Sequence, residues 1–438
     1  MTDVRRQTEI GEFPEDWEFS TLARICGLDG CIQTGPFGSQ LHANEYAADG
    51  VPVINPTHLE GNRINHAHVP RVSEETSHRL DRHRVKKGDI LFGRRGELGR
   101  HGLVTDSEAG WLCGTGCFLV RIRNPKVDNA FLSYLFSTNS VLNWLQARAA
   151  GSIMPNLNNT VLSNLPVAFP TIVEQREVVA ILDKIRRAVD VETAICERLE
   201  ALKSATMTKL FREGLRGEPL KRTEIGEIPQ SWQLVRLGDI ARIGNGSTPK
   251  RTNAQYWLGG RIPWITSTKI HDVLIDAADE FVTDMAFREC HLPMVPKGSL
   301  LVAITGQGKT LGNAALLQID TCINQHLAYV QFQIPSALPE FFLFYLRSLY
   351  SYFRQISSSG GSTKGALTCG FIANLMVPMP SESEQKEIAE LFLRLADRQM
   401  VAKSRSAAMS SLYETSLPQL TTGFLRVKNE HSGEVVNA

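Results

Sequence analysis

The chain has 438 residues, a formal net charge of +1, and 42% hydrophobic and 21% charged residues, a balance that is typical of a globular protein and argues against disorder. Apolar runs such as 300–304 and 341–346 fall far short of the roughly 20 residues of a membrane span, and the N-terminus lacks the apolar core of a secretory signal. We therefore expect a cytoplasmic protein of two to three domains without membrane contact.

The chain contains an internal repeat, with offsets of 210 to 215 residues between matching segments. The matching pairs are residues 8–14 and 223–229, each followed by a tryptophan (Trp17 and Trp232), residues 51–54 and 262–265, and residues 151–177 and 361–387. Duplication over this length indicates two similar domains rather than one large domain.

The predicted elements follow one another in the same order in both halves. Short β-rich runs separated by Gly, Pro and Asn come first, together with Leu-rich and aromatic helical segments. Stretches without Pro or Gly then predict long helices at about 173–213 and 383–417. The fold class is thus a mixed α/β fold with two similar globular domains, 1–172 and 223–382, followed by helical regions at 173–222 and 383–438.

Apolar residues recur at three- and four-residue spacings along both predicted helices, with Glu192 as the one break in the first. At about 1.5 Å per residue, each helix is a rod of about 60 Å, longer than one domain of this size can cover. We expect the two helices to pair with each other; packing of each helix on its own domain is the alternative. The predicted seam residues are Val178, Ile181, Ile185, Ile195, Leu199, Leu202, Ile388, Leu391, Leu395, Met409 and Leu412.

Motifs for chemistry are incomplete. Residues 303–310 end in Gly-Lys-Thr, but Ala303 stands where a phosphate-binding loop requires Gly, so we expect a basic glycine-rich loop without NTP hydrolysis. Asn55-Pro56-Thr57 lacks the second proline and the aromatic residue of the Asn-Pro-Pro-Tyr type of motif that holds a flipped adenine. We predict no catalytic residue in this chain.

Eight cysteines occur without a C-x-x-C pair, which argues against a zinc finger. Cys113 and Cys117 with a remote histidine leave a metal site open, and buried reduced thiols are the other interpretation. We predict no metal ion.

Charge is concentrated in two loop-rich stretches. Residues 79–100 contain eight basic and three acidic residues, and residues 242–269 contain five basic and no acidic residues. Lys and Arg neutralise phosphates, whereas Arg, Asn, Gln, Ser and Thr can read base edges, so we interpret both stretches as DNA-binding; a solvated polar surface is the alternative. The candidate DNA-binding residues are Gln33, Ser39, Gln40, Asn55, His58, Arg94, Arg95, Arg100, Thr248, Lys250, Arg251, Thr266, Ser267, Lys269, Gln307 and Lys309.

The order of these features resembles the specificity subunit of type I restriction-modification systems. The resemblance covers essentially the whole chain and is carried by paired Ile-Gly-Glu-x-Pro-x-x-Trp openers, Gly35–Leu41 in the first half, Ser247-Thr248-Pro249 with Tyr256-Trp257 and Ile262–Ile265 in the second, and Glu-Gln-(Arg/Lys)-Glu at the start of each long helix. No single motif is diagnostic, but their duplicated order is.

The resemblance implies two target recognition domains joined by helices that form an antiparallel coiled-coil spacer. It implies binding of double-stranded DNA at an asymmetric bipartite target, and docking of two methyltransferase subunits and of restriction subunits. S-adenosylmethionine, ATP and Mg²⁺ would belong to those partners, and this chain would hold no cofactor.

Two other functions remain open. One is a restriction or methylation enzyme with catalysis in the same chain, which an in-chain cofactor motif would identify. The other is an orphan DNA-binding protein, which would form no complex with the products of neighbouring genes.

Overall fold

The structure, a computed structural model, describes residues 4–36, 40–149, 156–306, 309–359 and 367–427. Contacts gather the chain into two units, Met1–Val191 with Ser406–Ala438, and Glu192–Arg405. Each long helix therefore belongs partly to one unit and partly to the other. The four predicted segments follow sequence order, whereas the units each combine one globular domain with parts of both helices.

The first unit contains short strands and helices followed by the start of a long helix. Its strands are β1 (Arg5–Thr8), β2 (Gly11–Pro14), β3 (Glu18–Thr21), β4 (Cys31–Thr34), β5 (Tyr46–Ala47), β6 (Val51–Ile54), β7 (Leu59–Glu60), β8 (Arg63–Ile64), β9 (Arg71–Val72), β10 (Ile90–Gly93), β11 (His101–Leu103), β12 (Leu112–Cys113), β13 (Cys117–Arg121) and β14 (Pro166–Phe169). Its helices are α1 (Leu22–Ile25), α2 (Glu74–Arg79), α3 (Asn129–Phe136), α4 (Asn139–Ala149), α5 (Asn159–Ser163) and the beginning of α6 (Ile172–Glu213).

The central sheet of the first unit has the order β11-β10-β13-β4 and is antiparallel throughout. Successive side chains of a strand point to opposite faces. Ile90 and Phe92 accordingly join the core formed with the helices, whereas Leu91 joins a second core beneath a smaller sheet of order β12-β6-β9-β5. Burial on both faces explains why β10 is apolar at consecutive positions instead of alternating.

The second unit repeats this arrangement. Its strands are β15 (Leu220–Thr223), β16 (Gly226–Pro229), β17 (Gln233–Arg236), β18 (Ala241–Asn245), β19 (Ile262–Ile265), β20 (Leu274–Ile275), β21 (Glu280–Val282), β22 (Leu300–Ala303), β23 (Ala314–Leu317), β24 (Cys322–Ile323), β25 (Leu327–Phe332) and β26 (Met376–Met379). Its helices are α7 (Leu237–Ile240), α8 (Asp284–Glu289), α9 (Pro339–Ser348), α10 (Tyr350–Ser359), α11 (Cys369–Ala373) and the beginning of α12 (Glu382–Thr421). The main sheet has the order β18-β25-β22-β23-β20, and the smaller one β21-β19-β24.

Both long helices match the prediction closely at their starts. The second extends past the predicted end at 417, because Pro418 is accommodated in its last turns. Proline removes its own N–H but keeps its carbonyl, and the Thr422 N–H donates to that carbonyl at 3.1 Å. The first proline after an apolar stretch therefore did not mark the end of the helix.

A buried glutamine fixes the start of each long helix. The Gln175 side chain accepts from the Asp128 N–H at 2.8 Å and donates to the carbonyls of Lys126 and Pro170, both at 2.8 Å. Gln385 repeats these bonds with the Leu338 N–H and with the carbonyls of Ser336 and Pro380. This is the glutamine of the repeated Glu-Gln-(Arg/Lys)-Glu segment, so the motif joins each helix to the loop before α3 or α9.

Within each unit, the start of one long helix packs against the end of the other. In the first unit, Arg186 of α6 donates to the Tyr413 hydroxyl of α12 at 3.0 Å. In the second unit, Phe211 of α6 stacks on Phe392 of α12, with 5.6 Å between ring centroids. The helices therefore run antiparallel, as predicted.

The structure corrects the predicted seam at four positions. Ile195 (39%), Leu202 (52%), Leu391 (38%) and Leu412 (47%) are exposed. In each case the next residue along the chain is less exposed: Cys196, Lys203, Phe392 and Tyr413 are buried or half-buried. Val178, Ile388 and Leu395 are buried, and Ile181, Ile185, Leu199 and Met409 are half-buried. The 3.6-residue helical period moves the buried face one position away from a strict heptad.

One consequence of this shift is a buried lysine in the helix pair of the second unit. Lys203 is 8% exposed, and its Nζ donates to Gln399 Oε1 at 3.3 Å, while the Gln399 amide donates to Glu200 at 2.8 Å. Burial lowers the pKa of Lys203, and the charge of Arg347 lowers it further.

We predict that Gln175→Met and Gln385→Met each lower the stability of their unit by about 1–3 kcal/mol, because each leaves a buried N–H and two carbonyls unpaired. Urea denaturation checks this. The exposed neighbour Arg176, changed to Met, is the control and should leave the midpoint of the transition nearly unchanged. Equal midpoints for Gln175→Met and Arg176→Met would show that the amide contributes little.

We predict that Lys203→Met stabilises the second unit by about 1 kcal/mol at pH 7, because it removes a buried cation that has a neutral partner. Between the lowered folded-state pKa and the unfolded value of about 10.4, the unfolded chain binds more protons, so the wild type gains stability as pH rises. The advantage of the variant should therefore shrink toward pH 10. Melting curves across this range, with the exposed Lys209→Met as control, test it; an advantage independent of pH would contradict it.

Candidate nucleic-acid interface

In the first unit, several strand ends meet at one short turn, residues 114–116, which connects β12 of the smaller sheet to β13 of the central sheet. Two backbone hydrogen bonds join this turn to the neighbouring strand ends, Gly114 N–H to Ile54 O (2.9 Å) and Arg94 N–H to Gly116 O (2.7 Å). The Gly35 N–H donates to Cys117 O of β13, just after the turn, at 2.8 Å. We call residues 114–116 the first linking turn. Together with residues 35–36, 55–58 and 94–100 it forms the first loop face.

The second unit has a similar construction around residues 324–326, the second linking turn between β24 and β25. The bonds of this turn are Asn324 N–H to Ile265 O (3.0 Å) and Ile304 N–H to His326 O (3.0 Å). Here the Ser247 N–H donates to Ile323 O of β24, just before the turn, at 3.0 Å. With residues 246–251, 266–269, 304–306 and 309–313, this turn forms the second loop face. The repeat thus places loops of both units at equivalent strand ends.

A glycine permits the close approach in each unit. A Cβ on Gly35 would lie 2.1 Å from the Gly114 carbonyl oxygen, and one on Gly246 would lie 1.8 Å from the Ile323 carbonyl oxygen. Both distances are far below van der Waals contact. Any side chain would push the loop away from the linking turn at Gly35, and away from the end of β24 beside the linking turn at Gly246.

The predicted arginines of the first loop face differ in their surroundings. Arg95 is exposed, and Arg94 is half-buried with its guanidinium 5.4 Å from the centre of the Phe118 ring. Arg100 is exposed but pairs with Glu97 at 2.7 Å. Arg95 is therefore the most accessible cation of these three.

Asn55 and His58 follow β6 on the same face. His58 is buried, and its Nδ1 accepts from the Asn55 N–H at 3.0 Å. Burial lowers the pKa of His58, so the ring is neutral near pH 7 and stabilises the turn. Asn55 caps this turn and is half-buried at the loop face.

Neither predicted glutamine of the first unit is part of the first loop face as defined above. Gln33 belongs to β4 and donates to the Arg82 carbonyl at 2.7 Å. Gln40 accepts from Arg79 through its backbone carbonyl at 2.7 Å. Ser39 lies outside the described residues.

Ion pairs use much of the positive charge predicted for residues 79–100. Among the described side chains, Arg79 pairs with Glu45, Arg84 with Asp81, Lys87 with Asp106 and Arg100 with Glu97. Each of these pairs neutralises a cation that the sequence window counted as available. The loop face keeps Arg94 and Arg95 as its unpaired positive charge within that window, as far as the structure describes it.

A network of hydrogen-bonded polar side chains crosses the second loop face. The Thr248 hydroxyl donates to Gln325 Oε1, Gln325 Nε2 contacts His326 Nε2 at 3.2 Å, and His326 Nδ1 contacts the Thr305 hydroxyl. Gln325 and His326 are exposed. This hydrogen-bond network connects the loops that follow β18 and β22 with the second linking turn.

Lys250 and Arg251 have different environments. Lys250 is exposed and forms no ion pair with any described residue. Arg251 pairs with Glu280 and lies over two indole rings, 4.1 Å from the centroid of Trp257 and 4.8 Å from that of Trp264. Lys250 is thus available to a ligand, whereas Arg251 holds its own loop together.

The other predicted residues of the second unit lie on its loop face or outside the described residues. The Thr266 and Thr268 hydroxyls are 2.6 Å apart, Ser267 is half-buried between them, and Lys269 pairs with Asp279 at 3.0 Å. Lys309 is exposed, and its carbonyl accepts from the Tyr350 hydroxyl at 3.2 Å. Gln307 lies outside the described residues.

All eight cysteines are free thiols. Cys113 and Cys117 are buried beside the first linking turn, and burial raises the pKa of Cys117. Across the described ranges, no group of three His, Cys, Asp or Glu side chains is placed to hold a metal ion. Nor does any helix in those ranges combine the length and apolar character needed to cross a bilayer.

Sequence reasoning missed Gln325, His326 and Thr305. Gln325 and His326 occupy two positions between apolar strands and carry no charge pattern that would single them out. The available signal was the repeat itself, since Gln325 and His326 align with Thr115 and Gly116 of the first half.

The sequence matches the type I restriction modification DNA specificity domain over residues 14–201 and 229–403. A putative type I restriction enzyme specificity subunit of Methanocaldococcus jannaschii is 24% identical over 97% of both chains. An Escherichia coli type I restriction enzyme specificity subunit is 24% identical over 54% of this chain and 56% of its own length.

Solved structures share the fold. The S subunit of a type I restriction-modification system from M. genitalium superposes with a TM-score of 0.60 and 17% identity, covering 92% of this chain and 96% of that one. A chain from a structure of type I complex assembly gives a TM-score of 0.55 with 19% identity and covers 94% and 99% of the two chains. The predicted fold class is confirmed. Because the family match covers both halves, the chain belongs to the DNA specificity family of type I restriction-modification systems.

Proposed function

We propose that each unit reads one half of an asymmetric bipartite DNA target through its loop face, and that the chain delivers this recognition to partner subunits in the cytoplasm. The observation that carries the proposal is the repetition of one fold with loops at equivalent strand ends but with different side chains. Two copies of one reader with different reading groups suit a target whose halves differ.

The chemistry of the loop faces supports DNA as the ligand. Arg95 and Lys250 are exposed cations that can neutralise phosphates, and Gln325 and Asn55 offer amides that can address base edges. Phosphate contacts position a protein on the duplex, whereas amide contacts discriminate between bases. Each loop face combines both kinds of group.

The long helices support a role as a spacer and docking surface. In the second unit, Ile195 and Leu202 of α6 and Leu391 and Met400 of α12 leave apolar side chains exposed. Apolar side chains repeated along a helix pair suit the burial of a partner protein. We assign them to docking of two methyltransferase subunits, with restriction subunits joining that complex.

The reaction chemistry would belong to those partners. S-adenosylmethionine, ATP and Mg²⁺ would bind to the methyltransferase and restriction subunits, and this chain would contribute the DNA address. Mixing the purified chain with the products of neighbouring genes tests the assembly; failure to form a complex would favour an orphan DNA-binding protein.

We predict that exchanging residues 16–165 for the matching domain of a relative changes one half of the methylated target. The other half and the number of bases between the halves should stay the same, because the second loop face and both long helices are untouched. Genome-wide mapping of methylated adenines in a host that carries the chain and its partner subunits measures this.

The reciprocal exchange within the second unit is the control for this experiment and should change the opposite half. A change of both halves in either exchange would mean that the chain reads DNA through one joint surface.

We predict that lengthening both long helices by seven residues, at 191/192 and 405/406, lengthens the gap in the target. Seven residues add about 10 Å of helix, which corresponds to about three base pairs at about 3.4 Å each. Seven residues also keep the buried faces nearly in register. The methylation map should retain both half-sites. A gap of unchanged length would show that the helices do not set the distance between the half-sites.

A further inference from the structure

We propose that Gln325 in the second linking turn reads an adenine in the second half of the target, and that Thr248 and His326 position its amide. This inference rests on the proposed function, because it assigns one base-reading group within the second loop face.

The turn that presents Gln325 is rigid. Asn324 is buried, its N–H donates to the Ile265 carbonyl at 3.0 Å, and its side chain accepts from the His326 N–H at 3.1 Å. Leu327 closes the turn by donating to the Asn324 carbonyl at 3.3 Å. The two exposed side chains between Asn324 and Leu327 therefore start from a fixed backbone, which base discrimination requires.

The internal bonds of Gln325 leave it able to bind a base. A glutamine amide has two lone pairs on oxygen and two N–H groups. Thr248 uses one lone pair, and because Nε2 can only donate, its contact with His326 Nε2 uses one N–H. One acceptor and one donor remain on an exposed side chain, and these are the groups that pair with N6 and N7 of adenine in the major groove.

His326 fits the role of a positioning residue. Its Nε2 accepts from Gln325, so its proton lies on Nδ1 and is donated to the Thr305 hydroxyl. Thr248 and Thr305 come from loops after β18 and β22. The amide of Gln325 is thus held by hydrogen bonds to Thr248 and His326, which connect it to loops of the main sheet of the second unit.

The equivalent turn of the first unit lacks this arrangement. Thr115 stands in place of Gln325 and donates its hydroxyl to the Pro36 carbonyl at 2.8 Å, and Gly116 stands in place of His326. The first linking turn therefore offers no amide to a base. The assignment predicts that this difference contributes to the asymmetry of the target.

The experiment selects duplexes from a library by the full-length chain at low salt. The library carries two randomised segments separated by gaps of varied length, and bound duplexes are sequenced for the wild type, Gln325→Ala, Gln325→Glu and Thr248→Val. The wild type should enrich a bipartite motif with one adenine in one half that is preferred about 5- to 150-fold over the other bases.

Each variant has its own expected result. Gln325→Ala should abolish the preference at that single position and keep the rest of the motif. Gln325→Glu should move the preference to cytosine, since a carboxylate accepts from cytosine N4–H. Thr248→Val should weaken the preference at the same position. Melting temperatures of all variants report whether they fold. Lys250→Ala is expected to weaken binding to all sequences alike, and it shows that the assay separates phosphate contacts from base contacts.

An intact motif in Gln325→Ala would overturn the proposal, and so would a loss of affinity that is uniform across sequences. A wild type that enriches no bipartite motif would refute the proposed function itself, and this outcome is visible before any variant is compared.

Discussion

Each long helix supplies apolar side chains to the cores of both units, and the rest of the structure depends on this sharing. Val178 and Leu182 near the start of α6 belong to the core of the first unit, whereas Leu210 and Phe211 near its end belong to that of the second. In the reverse order, α12 contributes Phe392 to the second core and Leu420 to the first. Neither helix can be removed without opening both cores, so recognition and spacing are built from the same segments.

The positions of the loop faces depend on a second constraint. In the smaller sheet of each unit, two strands pair in parallel, β12 with β6 and β24 with β19. Because these pairs are parallel, β12 ends at the same edge as β6, and β24 at the same edge as β19. The chain crosses from that edge to the central sheet of the first unit or the main sheet of the second. Both crossings are only three residues long, which holds the surrounding loops together while leaving their side chains free to vary. The scaffold and the reading groups are therefore separable.

The repeat and the long helices could be predicted from the sequence because they rest on local patterns. The buried face of the helices could not be predicted in full: Lys203 is buried beside the exposed, apolar Leu202, because the 3.6-residue period shifts the buried face away from a strict heptad. Charge in the loops was also overestimated. The window 242–269 contains no acidic residue, but Asp279 and Glu280, which lie beyond it in sequence, form ion pairs with Lys269 and Arg251. The linking turns depend on strand pairing between distant segments, which one sequence does not reveal.

The first unit is assembled from both ends of the chain, and this affects its biosynthesis. Arg5 donates to the carbonyls of Thr422 and Gly423, and Arg426 pairs with Asp16 and Glu174. The whole of the second unit, 192–405, must be translated between these partners. At about 5–20 residues per second, the ribosome takes roughly 10 to 40 s to synthesise it. During that interval the nascent first unit lacks Leu417 and Leu420, so its core stays open while the second unit, whose residues are contiguous, can already close.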